Sequence, residues 1–185
     1  MTAESHPAGA GPVSGAGSAA SDRGTAFAWR VHAAQAAWTG NADVKASILL
    51  ALEGGSLYAA LSATGHDGLL GGAHGPAYPA AAGTGIAVLL LAIGAAAIAV
   101  FPRLGSGSHV PGRAAVYFGD LRRWDPADLA RHIDELTEDD ELGMLSLQLT
   151  QMSRQNWTKH RWVQLSLALA LTGIVIIAVS AITAL

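Results

Sequence analysis

Residues 113–124 gather the side chains best suited to holding a nucleotide. They include Arg113, Tyr117, Phe118, Asp120, Arg122, Arg123 and Trp124. Aromatic faces stack on bases and arginines pair with phosphate in a bidentate way. A carboxylate accepts hydrogen bonds from a base amine or a ribose hydroxyl. The same residues also suit a second arrangement, with Tyr117 and Phe118 packed under a helical bundle and the arginines among lipid phosphates. A second group is Glu53 followed by Gly54 and Gly55, within a long apolar run. A carboxylate at membrane depth is expensive unless it faces other helices or water, and glycines permit close helix approach. That group suits an assembly contact or a pore lining, or else a carboxylate close enough to the interface to reach water. Asp43 and Lys45 precede the run. They suit an ion pair to a neighbouring helix, or charges that anchor the end of the span.

The elements that must position these groups follow from the distribution of apolar residues. Residues 46–64 are apolar except for Glu53 and small polar side chains, and residues 80–101 and 163–185 carry no charge. Each run is close to the ~20 residues that span a hydrocarbon core. A chain of 185 residues, 51% hydrophobic and 14% charged, with mean hydropathy +0.34, has too little polar sequence to bury three such helices in a water-soluble core. The expected fold is an all-α membrane protein with three transmembrane helices and a cytoplasmic helical bundle continuous with the spans.

Cations set the expected orientation. Arg23, Arg30 and Lys45 precede the first span, and the other eight of the eleven lie between 102 and 162. The connection 65–79 and the chain after the third span have none. The positive-inside rule then puts the N-terminus and the 102–162 segment in the cytoplasm, and the 65–79 loop and C-terminus outside.

Residues 1–23, rich in Gly, Ala, Ser and Pro, read as a disordered leader without the apolar core of a signal peptide. Residues 24–45 read as a cytoplasmic amphipathic helix with a stripe of Phe27, Val31, Ala34 and Trp38, and a joint is expected at Gly40–Asn41. Asp125-Pro126 is an N-cap with proline at the first helical position, for a helix reaching Leu136. Thr137 and Asp140 form a capping-box pattern, and Glu138 to Glu141 suit a helix N-terminus. Leu142, Leu145, Leu149, Met152 and Asn156 then fall at heptad spacing, with no proline from there to Leu185. One continuous helix is expected from Glu138 through the third span, with 102–162 as a whole forming a cytoplasmic sensor segment.

The composition excludes several functions. With no cysteine, disulfides, thiolate metal sites and cysteine nucleophiles are absent. A net charge of −3 gives no basic field for nucleic acid, and residues 103–160 hold seven cations against nine acids. No phosphate loop or nucleophile elbow is present. His66 and His74 lack a carboxylate or helical partner for a metal, and the acids at 138–141 lack the spacing of a calcium loop. His132 reads as part of a solvated polar helix. No catalytic residue, no metal and no cofactor is expected.

The stretch 41–52 (NADVKASILLAL) leads into the glycine pair, and Phe101-Pro102-Arg103-Leu104 closes the second span. Tyr117-Phe118-Gly119-Asp120-Leu121 follows, and a Gln/Lys-bearing helix enters the last span. In order and spacing, over about residues 25–185, these resemble the Pycsar transmembrane effector family. Val44 stands where a threonine is expected, and Glu53 where a neutral polar residue is common. The resemblance implies an antiphage (antiviral defence) effector partnered with a nucleotide cyclase that makes cyclic UMP or cyclic CMP. It also implies sensing of that ligand in the cytoplasm and disruption of the bacterial inner membrane, an abortive infection that stops growth or kills the cell. A homo-oligomer among membrane lipids is the expected assembly. The residues alone leave a rival open: a non-signalling membrane scaffold, or a channel subunit, recruiting a partner through its coiled segment.

Overall fold

The computed structural model describes residues 14–65, 68, 70, 77–101 and 118–184. Five helices follow in order: α1 (Ser14–Thr64), α2 (Tyr78–Val100), α3 (Phe118–Leu121), α4 (Pro126–Asp134) and α5 (Glu138–Ala184). There is no strand among the described residues, and α1, α2 and α5 are each long and apolar enough to cross a membrane. The chain is an all-α, multi-pass membrane protein.

Two helices exceed their spans. α5 runs unbroken from Glu138 to Ala184, as the sequence predicts, with the Thr137–Asp140 box at its start. The Asp140 N–H donates to Thr137 Oγ1 at 3.2 Å, and Thr137 Oγ1 donates to Asp140 Oδ2 at 2.5 Å. α1 departs from expectation at three points. It begins at Ser14, inside the stretch expected as a leader, and it passes through Gly40–Asn41 without a joint. Its inward face is also not the expected aromatic stripe, because Phe27 and Trp38 are 61% and 59% exposed.

The inward face of α1 is instead a heptad of small and polar residues. Thr25, Ala28, His32, Gln35, Thr39, Ala42, Ala46, Leu49, Glu53, Ser56 and Ala60 alternate steps of three and four, and all are buried or half-buried. The inward face of α5 keeps the same alternation from Leu142 through Asn156, Ser166 and Ala170 to Ser180. A sustained 3.5-residue repeat is the pattern of left-handed helix pairing, and small residues suit it in a bilayer, where large apolar side chains gain as much from lipid.

The chain divides into two compact units, residues 1–33 with 106–150 and residues 34–105 with 151–185. In the second unit, Thr39 meets Asn156, Asp43 meets Lys159, and Glu53 meets Ser166. The numbers rise together, so these stretches of α1 and α5 run parallel. α2 runs the other way, with Gly85 beside Ile177 and Leu89 beside Gly173. Leu89, Ala92 and Ala170 form the buried cluster, with Leu169 and Ile177 packed on it. Parallel first and third spans with an antiparallel second are what three consecutive crossings require. They put 34–45 and 151–162 at the same end of the bundle.

In the first unit, Trp29 Nε1 donates to Glu141 Oε1 at 2.7 Å, and Leu145 is fully buried. Asp125 caps α4 by accepting from the N–H groups of Ala127 at 2.9 Å and Asp128 at 3.4 Å. Pro126 occupies the first turn as expected, and the helix ends at Asp134, two residues short of Leu136.

Candidate functional site

The expected nucleotide-binding set is described only in part. Arg113 and Tyr117, and the side chain of Phe118, lie outside the described residues. α3 is a single turn that places Asp120, half-buried, ahead of two exposed arginines. Arg122 Nε donates to the Gly119 carbonyl at 3.3 Å, folding that side chain back over its own turn. The Arg123 N–H donates to the Asp120 carbonyl at 3.0 Å and closes the turn.

Directly after these arginines the structure shows a feature that sequence reasoning missed. The Trp124 ring stacks on His132, with centroids 5.0 Å apart and planes 28° from parallel. His132 is half-buried, and its Nε2 is enclosed without a hydrogen-bond partner. It borders a cavity of about 430 Å³ between α4 and the start of α5. Glu135, Asp139 and Asp140 supply carboxylates there, and Leu136, Met144 and Leu147 supply apolar surface. A cavity of that size falls in the range of small-molecule sites. The reading of His132 as part of a solvated face is corrected by these contacts. The signal available in the sequence was the eight-residue interval from Trp124 across the capped start of α4.

The membrane-side residues separate into two kinds. Asp43 reaches across to α5, where Lys159 Nζ donates to its Oδ1 at 2.5 Å; the lysine side chain is 14% exposed. Lys45 is exposed and takes no part in this pair. One helical turn nearer the N-terminus of α1, Thr39 Oγ1 donates to Asn156 Oδ1 at 2.5 Å, and Asn156 Nδ2 donates to the Gln35 carbonyl at 3.2 Å. Ten residues beyond Asp43, Glu53 is 2% exposed. Its Oε1 accepts a hydrogen bond from Ser166 Oγ, while its Oε2 is enclosed without a partner. Glu53 therefore faces α5 of the same chain.

Gly54 and Gly55 are exposed, and a Cβ on either would meet nothing within 4 Å. The close helix approach inside the chain is made elsewhere. A Cβ on Gly85 would lie 3.0 Å from the Gly173 carbonyl oxygen, and one on Gly173 would lie 2.9 Å from the Gly85 carbonyl oxygen. Among the described residues, no group of three or more His, Cys, Asp or Glu is placed to hold a metal ion.

Three membrane-length helices, two of them much longer than a span and tied together by a polar seam, define an all-α multi-pass membrane protein. The chain matches the family model of the Pycsar effector protein domain over residues 27–185, and it belongs to that family. No curated protein and no solved structure matches it. Family membership supports an antiviral-defence effector role and implies a cyclic-nucleotide signal from a partner cyclase.

Proposed function

We propose that the protein is a ligand-gated, membrane-disrupting effector. It senses cyclic UMP or cyclic CMP in the cytoplasm and permeabilises the inner membrane of an infected cell, as a homo-oligomer. The observation that carries this reading is the family match across residues 27–185, which takes in all three membrane-length helices and the segments outside them. The continuity of α1 and α5 supports it, because helices that leave the bilayer without a break give a cytoplasmic ligand something to move. Ligand must bind the disrupting state more tightly than the resting one, since only differential affinity shifts the equilibrium.

For the binding site we keep Arg113, Arg122 and Arg123 for the phosphate, Tyr117 or Phe118 for the base, and Asp120 for a polar edge. The Trp124–His132 stack and its neighbouring cavity lie immediately downstream in sequence. Three carboxylates on that cavity disfavour a phosphate inside it, so the arginines remain the better phosphate ligands. The proposed function requires no metal, no cofactor and no enzymatic step.

The scaffold reading needs a free coiled face on α5. Leu145 on that face is fully buried, and Asn156 is taken by Thr39 and Gln35 of the same chain. A second protein has little of that seam left to bind.

The test is thermal stabilisation of the detergent-solubilised protein by cyclic UMP, CMP, AMP and GMP in parallel. A saturable shift for one pyrimidine nucleotide, lost when Arg122→Ala is combined with Arg123→Ala, supports both sensor and site. A shift that survives those changes moves the site. No shift with any of the four, in folded and assembled protein, rejects the sensor.

A further inference from the structure

The bundle turns large apolar side chains outward and keeps its polar groups inside. Leu52, Leu61, Leu91 and Leu171 are all exposed, as lipid-facing residues are, whereas Glu53 and Ser166 are buried. Glu53 is the one Asp, Glu, Lys or Arg in residues 46–64, 80–101 and 163–185. It is also the innermost of three polar contacts that join α1 to α5, after Thr39–Asn156 and Asp43–Lys159.

Two properties make this seam easier to part than the α2–α5 contact. Its apolar filling on α1 is light, Ala42, Ala46 and the half-buried Leu49, and each alanine contributes only one methyl group to the contact. Moreover, Glu53 Oε2 is buried without a partner, so the closed seam leaves a polar atom unsatisfied where that is most expensive. Parting α1 from α5 hydrates that oxygen. By contrast, the α2–α5 contact is glycine against glycine around a fully buried Leu89, and separating it exposes apolar surface with no such compensation.

We propose that water enters the membrane along the α1–α5 seam and that Glu53 lines the path and makes it selective for cations. This rests on the reading that the protein permeabilises membranes, and it specifies what passes. The charges of Asp43 and Lys159 cancel at the mouth, so the fixed charge left along the path is the carboxylate of Glu53. A carboxylate in a water-filled constriction draws cations in and repels anions.

The full chain is reconstituted in a planar bilayer of phosphatidylcholine and phosphatidylglycerol under a KCl gradient, and cyclic UMP and cyclic CMP are added in turn. Nucleotide-dependent current should reverse near the K⁺ equilibrium potential. Glu53→Asp should keep that reversal potential, Glu53→Gln should bring it toward zero, and Glu53→Lys should carry it toward the Cl⁻ potential. A nucleotide-dependent current with no cation preference overturns the proposal, as does a preference unchanged in Glu53→Gln. Absence of any nucleotide-dependent current from the folded wild-type chain rejects the permeabilising reading itself, and this inference with it.

A second measurement does not depend on a variant at Glu53. The chain has no cysteine, so Ser166→Cys introduces a single thiol at a fully buried seam position. A cationic methanethiosulfonate reagent should modify it only once nucleotide has opened the current. A thiol that stays protected while current flows overturns the proposal.

Discussion

Gly85 and Gly173 face each other where α2 meets α5, each so close to the other's carbonyl oxygen that a Cβ on either would fall within 3.0 Å of it. The carbonyl oxygens are backbone and cannot swing aside, and Ile177 Cγ1 and Leu89 Cγ crowd the same positions, so larger residues must separate the helices. Gly85→Val or Gly173→Val should destabilise the bundle by about 1–3 kcal/mol, the usual range for overpacking. Gly54→Ala and Gly55→Ala enter open space and should leave the isolated protomer's stability within about 0.5 kcal/mol of wild type. Thermal unfolding in detergent separates the two pairs. If Gly54→Ala keeps stability but loses oligomer on size-exclusion chromatography, that glycine serves contacts between copies.

The Asp43–Lys159 pair ties α1 to α5 at 2.5 Å with the lysine largely buried and the carboxylate partly exposed. Reversing either charge alone places like charges together, and reversing both restores the pair. Asp43→Lys and Lys159→Asp should each lower the melting temperature, and the double variant should recover most of the loss. A half-exposed pair of this kind carries a coupling of about 0.5–1 kcal/mol in a double-mutant cycle. Lys45→Ala, by contrast, removes an exposed cation outside the pair and should leave melting unchanged.

Hydropathy and capping patterns make much of this fold legible in the sequence. The three apolar runs coincide with membrane-length stretches of helix, and the caps at Asp125 and Thr137 form with the predicted residues. The unbroken α5 followed from the absence of proline. What the pattern misplaced was the inward face of α1. An apolar stripe is usually sought among large side chains, and Phe27 and Trp38 supply one. The helix instead packs through Thr25, Ala28, Gln35, Thr39, Ala42 and Ala46, whose hydropathy is unremarkable and whose merit is size. Similarly, Gly54-Gly55 draws the eye as an adjacent pair, whereas Gly85 and Gly173 lie on different helices and come together only in space. The partner of Asp43 was hidden for the same reason: Lys159 is distant in sequence and becomes a neighbour only once the two helices run parallel. Of the nucleotide-binding set, the described part shows Arg122 and Arg123 exposed after α3, and the Trp124–His132 stack had no counterpart in the sequence reading.

Asp125 holds the first turn of α4 through the N–H groups of Ala127 and Asp128. Losing an N-cap of this kind costs about 1 kcal/mol of helix stability. Because α4 carries His132 to its stack with Trp124, Asp125→Ala should fray the helix and loosen that stack. Hydrogen exchange of the amides at 129–134 should quicken in the variant, with exchange in α2 unchanged. Asp125→Asn or Asp125→Ser, which keep an acceptor, should restore protection. If exchange at 129–134 does not change in Asp125→Ala, α4 is held by its tertiary contacts and the cap is incidental.

Asn156 is the buried polar residue within the leucine-rich part of α5, and its amide is used at both ends. Its oxygen accepts from Thr39 Oγ1, and its nitrogen donates to the Gln35 carbonyl. Substitution by aspartate keeps the first contact and turns the second into oxygen against oxygen. Asn156→Asp should therefore be more damaging than Asn156→Ala, which loses about 1 kcal/mol with the hydrogen bonds. For a chain of this length, each kcal/mol corresponds to about 2–4 °C in melting temperature. Asn156→Leu makes a different point. It suits an apolar seam and removes the polar contact that fixes which α1 residue lies opposite, so pairing should persist while its register loosens. Disulfide trapping reads this out, because the native chain contributes no competing thiol. Cysteines placed at Ala42 and Lys159 in the Asn156→Leu background should cross-link less completely than in the native background. Equal cross-linking in both would show that the alanine heptad and Glu53–Ser166 set the register without Asn156.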